Sequence, residues 1–332
     1  MLSQNKKQKP LKLLYTYEER IPKNLRELVL SFLPKDEFEI DSMTYALPDE
    51  EKIKKLKWAE IALFAPGRYL SEKVLKEASH IKLMQLWSSG YDKFNVAGAK
   101  KYGIPVANNG GANAESVAEH AIMLMLSFAK RLPDSHQRVV TGNWKGNGHG
   151  MDMFMLKNKT LGIIGFGNIG QAVAKKINGF EMKVIYYDIK QQPPEAERGC
   201  GATFAEFQKL LQESDIVTLH LHLNQSTERI IGRKELSLMK KGAVLINVSR
   251  AQLVDQEALF LALKDQKIQG AALDVYTEEP TKPNDPLLNL PNVVLTPHMA
   301  GSTYDAYVIA MKNAVANFRR VKNGQKPLWV VN

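Results

Sequence analysis

Along most of the chain, short apolar runs alternate with stretches in which apolar residues recur every three or four positions. The runs LKLLYTY (11–17), IALF (61–64), LMQLW (83–87) and IPVAN (104–108) predict strands, and SEKVLKEAS (71–79) between them predicts an amphipathic helix. A long amphipathic run, 113–132, then leads into the Gly/Asn-rich stretch TGNWKGNGHG (141–150), which predicts a loop. From Thr160 a second series begins. TLGIIG, KVIYYD (183–188), DIVTLH (215–220), AVLINV (243–248), GAALDV (270–275) and NVVLTP (292–297) predict six more strands. Several are almost wholly apolar, as strands are when helices cover both faces of a parallel sheet. The segment 302–323 closes the chain as one more amphipathic helix. The pattern is therefore α/β, in two successive series of strands and crossover helices.

Composition adds limits to that picture. With 332 residues and 44% hydrophobic content, the chain can build two domain cores. No apolar run reaches the ~18 residues needed to cross a bilayer, and the opening MLSQNKKQKP lacks the apolar core of a secretory signal, so a cytoplasmic protein with no membrane partner is expected. The single Cys200 cannot form an intrachain disulfide and has no metal-ligand spacing, so no metal is expected. The formal charge of +10 is spread among acidic residues, apart from Lys6, Lys7 and Lys9 and the EKIKKLK segment (51–57), which reads as the wet side of a helix. No nucleic-acid motif accompanies it, and attraction of small anionic metabolites is the use that fits.

Candidate chemistry gathers in the second series. There an apolar strand runs straight into Gly165-Phe166-Gly167-Asn168-Ile169-Gly170 and on into a helix. This is the context in which G-x-G-x-x-G holds a dinucleotide: a tight turn, a close backbone approach to pyrophosphate, and close helix–strand packing. Asp188 stands at the end of the next strand, 18 residues after Gly170, where its carboxylate suits an adenosine ribose and repels a 2′-phosphate. The cofactor expected is NAD. Arg250, then Asp274 and Glu279, then His298 follow three successive strands, at the edge where ligands of open α/β sheets bind. A lone histidine at a strand end is usually a surface or packing residue; three strands delivering a guanidinium, a carboxylate and an imidazole to one edge argue otherwise. Arginine can bind a carboxylate and polarise the adjacent carbonyl. Imidazole can exchange a proton with the carbonyl oxygen as hydride moves, oriented by Glu279 if the two are hydrogen-bonded. Hydride transfer between NAD(H) and a small 2-keto or 2-hydroxy acid fits these groups.

In order along the chain, SSGYDKFNV (88–96), ESVAEHAIMLML (115–126), GIIGFGNIG, NVSRAQLVD, ALDVYTEEP and TPHMAG resemble the motifs of the D-isomer-specific 2-hydroxyacid dehydrogenases. The resemblance covers nearly the whole chain. It implies two Rossmann-like or flavodoxin-like parallel-sheet domains with the active site in the cleft between them: a discontinuous substrate domain, 1–110 plus 302–332, and a dinucleotide-binding domain, 111–301. It implies catalytic roles for Arg250, Glu279 and His298, and substrate-carboxylate binding at the backbone of Ser89 and Gly90. Cofactor contacts are implied at Leu221, Val248, Ser249 and Ala300, with Asp274 at the nicotinamide carboxamide. A homodimer through the coenzyme domain is implied as well, for which AIMLML (121–126) could be the contact or could equally be core.

The chain departs from the pattern at Ala251-Gln252, where glycine usually follows the arginine, and at His222, where proline is usual beside the cofactor. Relatives that oxidise formate carry glutamine where Glu279 stands, which disfavours formate. Phosphoglycerate is disfavoured because LFAPGRYL (63–70) lacks the usual Arg-Ser pattern and no regulatory domain follows. The fold also resembles corepressors of the C-terminal-binding-protein type, which use such a body as an NAD-sensing interaction module. A chain ending nine residues after Asn323, with only a short leading tail, favours the enzyme.

Overall fold

A computed structural model describes residues 9–65, 68–144 and 150–332. Two compact units are present: residues 1–113 with 304–332, and residues 114–303.

In the first unit five parallel strands, β1 (Leu11–Tyr17), β2 (Phe38–Thr44), β3 (Ile61–Ala65), β4 (Leu83–Leu86) and β5 (Val106–Ala107), lie in the order β2-β1-β3-β4-β5. Both faces are covered, so consecutive residues of β1 serve different cores. Leu13 and Tyr15 pack with Phe318 of the helix Tyr304–Lys322, while Leu14 packs with Leu56, Val74 and Leu75 from the opposite layer. β2 was not foreseen as a strand. It is an edge strand with only Phe38 and Met43 buried, and FEIDSMT therefore carries little apolar signal. At the other edge the end of the chain adds itself to β5, with Val330 bridged antiparallel to Ala107 and Val331 N–H donating to Val106 O at 2.8 Å.

The second unit holds seven parallel strands: β6 (Thr160–Ile164), β7 (Lys183–Tyr187), β8 (Ala202–Phe204), β9 (Ile216–Leu219), β10 (Val244–Asn247), β11 (Gly270–Leu273) and β12 (Val293–Leu295). Their order is β12-β11-β10-β9-β6-β7-β8, so the chain reverses its direction of travel across the sheet between β6 and β9. A crevice opens at the carboxyl ends of strands at such a reversal. β8, a three-residue edge strand, was also not foreseen. The amphipathic run 113–132 forms one helix, Ala114–Ala129, and a second helix not foreseen, Leu132–Val140, follows where Arg131 takes a left-handed conformation (φ +50°).

The AIMLML stretch resolves towards core. Ala121, Ile122, Leu124 and Met125 are buried with β6 and β10 residues, and only Met123 is substantially exposed. Exposed apolar surface lies instead on the next helix, which buries no residue and leaves Leu132, Val139 and Val140 more than half exposed. The predicted loop 141–150 falls partly outside the described residues, as do the first eight residues and Pro66-Gly67 of LFAPGRYL.

Candidate active site

Gly165 follows β6 with φ +92°, and a Cβ there would lie 2.6 Å from the carbonyl oxygen of His220, at the end of neighbouring β9. A Cβ on Gly170 would lie 2.2 Å from Gly165 O. Neither position admits a side chain without moving backbone. Gly167 differs: its Cβ would meet nothing within 4 Å, and it begins the helix Asn168–Ile177 on an exposed edge together with Asn168, while Ile169 is half-buried behind them. Bare backbone, open space and an exposed N-terminus of a ten-residue helix at the sheet's reversal are what a pyrophosphate needs. Asp188 is brought to this loop directly: its Oδ2 accepts Phe166 N–H at 2.7 Å and its Oδ1 accepts Ile189 N–H at 2.7 Å. The residues present thus fit a dinucleotide. Leu221 lies against the same turn, its Cδ2 3.0 Å from where a Gly165 Cβ would be.

His220, buried beneath this turn, was missed as a structural participant. It faces Thr218 Oγ1 at 3.0 Å through Nε2, its Nδ1 has no partner among the described residues, and burial pushes its pKa down to about 3. The folded ring is therefore neutral at ordinary pH, while the unfolded chain's ring takes a proton below ~6.5. Stability contributed by this difference is present above pH 6.5 and is lost as pH falls, by roughly 1.4 kcal/mol per unit, until the folded ring protonates near 3. Urea unfolding at pH 7.5 and pH 5 should show wild type losing more stability on acidification than His220→Gln; equal losses would mean that the folded ring accepts the proton freely.

At the edge beyond β10, β11 and β12 the candidate catalytic groups emerge side by side, since Asn247, Leu273 and Leu295 are in register across these strands. Asn247, buried, sets the first of them. Its Oδ1 accepts Ser249 N–H at 3.1 Å and its Nδ2 donates to Arg250 O at 2.8 Å, which fixes the backbone from which the Arg250 side chain leaves. Val248 and Ser249 are buried in this turn, Ser249 Oγ donating to Leu219 O at 2.7 Å, and Arg250 is half-buried with Nη1 donating to Ser249 O at 2.7 Å.

His298 and Glu279 meet. With Nδ1 donating to Glu279 Oε1 at 2.7 Å, Nε2 is the ring nitrogen left for a substrate. His298 itself sits at φ +51°, a left-handed conformation that costs a residue with a Cβ and persists only where its surroundings enforce it. The enforcement is visible. Asp274 is fully buried and its carboxylate accepts Thr296 Oγ1–H at 2.6 Å, Met299 N–H at 2.9 Å and Ala300 N–H at 2.9 Å, gripping the turn on both sides of His298. Burial by itself raises the Asp274 pKa, but hydrogen bonds from His120, Thr296 and the Met299 and Ala300 amides outweigh it and hold the carboxyl below its usual range. The helix Ala114–Ala129 adds two further ties: His120 Nε2 lies 3.0 Å from Thr296 Oγ1, and Ser116 Oγ donates to Ala300 O at 2.7 Å.

Asn247, Thr296, Ser116 and His120 were not singled out from the sequence. The last two lie in the ESVAEHA motif, which was recognised without a role for either. Ser89 and Gly90 lie in the first unit, just after β4, and both are half-exposed. A cavity of about 690 Å³ in the second unit, lined by Arg131, Lys241, Gln269, Asn292 and Val293 among others, is at the opposite, amino-terminal ends of β10 to β12 and contributes nothing to this edge.

Residues 122–300 match the model of the NAD-binding domain of the D-isomer specific 2-hydroxyacid dehydrogenases. The chain is 37% identical over 318 residues to a glyoxylate reductase of Thermococcus litoralis, covering 94% of this chain and 95% of that one. It is also 37% identical to a D-3-phosphoglycerate dehydrogenase of Methanocaldococcus jannaschii, over 86% of this chain and 54% of that longer protein. Among solved structures, the NAD-complexed D-isomer specific 2-hydroxyacid dehydrogenase of Lactobacillus delbrueckii ssp. bulgaricus superposes with a TM-score of 0.78 at 29% identity, covering 96% of this chain and 100% of that one. The chain belongs to the D-isomer specific 2-hydroxyacid dehydrogenase family. It is an NAD-dependent oxidoreductase built from two parallel-sheet α/β units.

Proposed function

We propose that this protein reduces a small, unphosphorylated 2-keto acid, glyoxylate first among the candidates, to the corresponding 2-hydroxy acid at the expense of NADH. NADH, when bound, supplies the hydride. Gly165, Gly167, Asn168, Ile169 and Gly170 hold its pyrophosphate against the helix N-terminus, and Asp188 accepts from the adenosine ribose. Leu221, Val248, Ser249, Asp274 and Ala300 complete the cofactor contacts that the family resemblance implies. Ser89 and Gly90 take the substrate carboxylate on backbone N–H groups, and Arg250 binds that carboxylate and polarises the keto oxygen. His298 gives the proton from Nε2 to the keto oxygen, and takes it back in the reverse direction.

The observation that carries the reading is the 2.7 Å contact between Glu279 and His298 Nδ1, which leaves one imidazole nitrogen oriented and available. The similarity to a glyoxylate reductase over 94% of the chain supports the choice of substrate. A cytoplasmic homodimer is part of the proposal. The exposed Leu132, Val139, Val140 and Trp144 of the second unit supply apolar surface for a second copy, and light scattering giving a one-chain mass would remove it.

The test is a screen of 2-keto acids with NADH oxidation as the readout. Glyoxylate or hydroxypyruvate should be reduced with NADH preferred to NADPH, and Asp188→Ala should narrow that preference by lifting repulsion of a 2′-phosphate. No turnover with any small keto acid would sink the assignment, and equal use of both cofactors by the unmodified protein would sink the role of Asp188.

A further inference from the structure

The segment Ser88-Ser89-Gly90 leaves β4 into a turn whose three carbonyl groups are all engaged within the first unit. Asn109 N–H donates to Ser88 O at 3.2 Å, Asn108 Nδ2 donates to Ser89 O at 3.0 Å, and Ser88 Oγ donates to Gly90 O at 2.7 Å. The amides show the reverse. Among the described residues, the N–H groups of Ser89 and Gly90 donate to no protein acceptor. A peptide plane whose oxygen is held on one side has its neighbouring N–H directed to the other, because the unit is planar. Pinning the carbonyls thus aims the two free donors away from the body of the unit.

The clamp is itself rigid. Asn108 Oδ1 accepts Gly110 N–H at 3.0 Å, so its amide cannot turn over and Nδ2 must face Ser89 O. Asn108 N–H donates to Trp329 O at 3.1 Å, and Asn108 O accepts from the buried Gln85 Nε2 at 2.7 Å. Asn109 O accepts from Asn313 Nδ2 at 2.9 Å, and Gln85 Oε1 accepts from the buried Asn317 Nδ2 at 2.8 Å. The amides of one helix, Tyr304–Lys322, thereby reach the turn through Asn109 and Gln85.

We propose that Asn108 is a positioning residue for substrate: by holding Ser89 O it orients the Gly90 N–H of the same peptide plane, beside the Ser89 N–H that Asn109 N–H sets through Ser88 O, so that both amides are presented ready-oriented to the carboxylate of the keto acid, with the Ser88 Oγ bond to Gly90 O closing the turn. This rests on the reading that Ser89 and Gly90 bind that carboxylate. The carboxylate keeps its charge and geometry as hydride moves to the adjacent carbon, so these contacts are equally strong in ground and transition states. Losing their orientation therefore weakens binding and spares the chemical step.

The experiment compares wild type with Asn108→Ala, Asn108→Asp and Ser88→Ala, using glyoxylate as substrate and oxamate, a carboxylate that is not reduced, as inhibitor. In Asn108→Ala the KM for glyoxylate and the inhibition constant of oxamate should rise together by about tenfold, the scale of misdirecting one hydrogen bond to a charged group. kcat should stay within about threefold, and NADH affinity should not change. Asn108→Asp keeps the bond to Gly110 but sets a carboxylate oxygen against Ser89 O and a negative charge beside the anion's place, so it should raise KM further than Asn108→Ala does. Ser88→Ala frees Gly90 O and loosens the turn just after the Gly90 amide, so it should raise KM by a smaller factor, and an unchanged KM there counts against a preset turn should the Asn108 variants fail to fold. A wild type that reduces glyoxylate, with folded variants whose KM is unchanged or whose kcat falls instead, overturns the positioning role and leaves the proposed reaction standing. A wild type that reduces no keto acid overturns both.

Discussion

His298→Ala should lose roughly 100- to 10,000-fold in kcat for keto-acid reduction, the range for removing a positioned acid/base group, with NADH binding retained. The glycine loop and Asp188 are anchored to β6, β7 and β9 and use nothing from the His298 turn, so the cofactor's main contacts survive the substitution. The turn should survive as well, because Asp274 holds it through the backbone amides of Met299 and Ala300 rather than through the imidazole. Alanine keeps the Cβ cost at φ +51° and loses histidine's preference for that conformation, a small term beside the bonds from Asp274. Glu279→Gln asks a narrower question. The amide can keep a hydrogen bond to Nδ1 but can turn its NH2 there as readily as its oxygen, so the ring is no longer held with Nδ1 donating and Nε2 left for the substrate, and kcat should fall by about tenfold in both directions with NADH binding retained. The measurement is kcat in both directions, with a deuterated-hydride isotope effect showing that chemistry limits the rate. Full activity in His298→Ala would return this residue to an ordinary strand-end histidine, and an unchanged kcat in Glu279→Gln would mean that Glu279 does not orient the ring.

Arg250→Lys should lower kcat/KM by about two orders of magnitude or more, the scale for one positioned electrostatic contact to developing charge. Lysine preserves the charge and leaves the backbone frame set by Asn247 untouched, since Asn247 bonds to Ser249 N–H and Arg250 O. What it lacks is the planar fork that can serve a carboxylate and a neighbouring carbonyl oxygen together. Because polarisation of the carbonyl grows as hydride arrives, kcat should fall along with affinity, in contrast to the KM effect expected at Asn108. Steady-state kinetics of the Lys variant beside an NADH titration separates these terms. A Lys variant with near-normal turnover would take Arg250 out of the mechanism.

The residues legible in the sequence are those whose role depends on near neighbours in the chain. Gly165, Gly167 and Gly170 are recognisable because turn, anion approach and helix packing all occur within six residues; Gly165 and Gly170 each have a steric reason within the protein, while Gly167 borders the open space left for a ligand. The buried strands β6, β9, β10 and β11 announce themselves because strands covered on both faces must be apolar throughout. Edge strands β2 and β8 do not, because an edge needs few apolar side chains.

The supports of the candidate site could only be decided by tertiary structure. Nothing in the spacing of ESVAEHA says that His120 and Ser116 will meet Thr296 and Ala300, 176 and 184 residues later. Nor does NNGG say that Asn108 will hold Ser89 O. Serine, threonine and asparagine are as common in solvated turns as in buried networks, and a polar residue's partner is fixed only when the sheet brings distant strand ends together. The sequence therefore determined which chemical groups the chain carries and the strand ends from which they leave. The fold decided what holds them still: a buried carboxylate at Asp274 for the imidazole turn, an asparagine at 247 for the backbone that carries the guanidinium, and an asparagine at 108 for the Ser89 carbonyl.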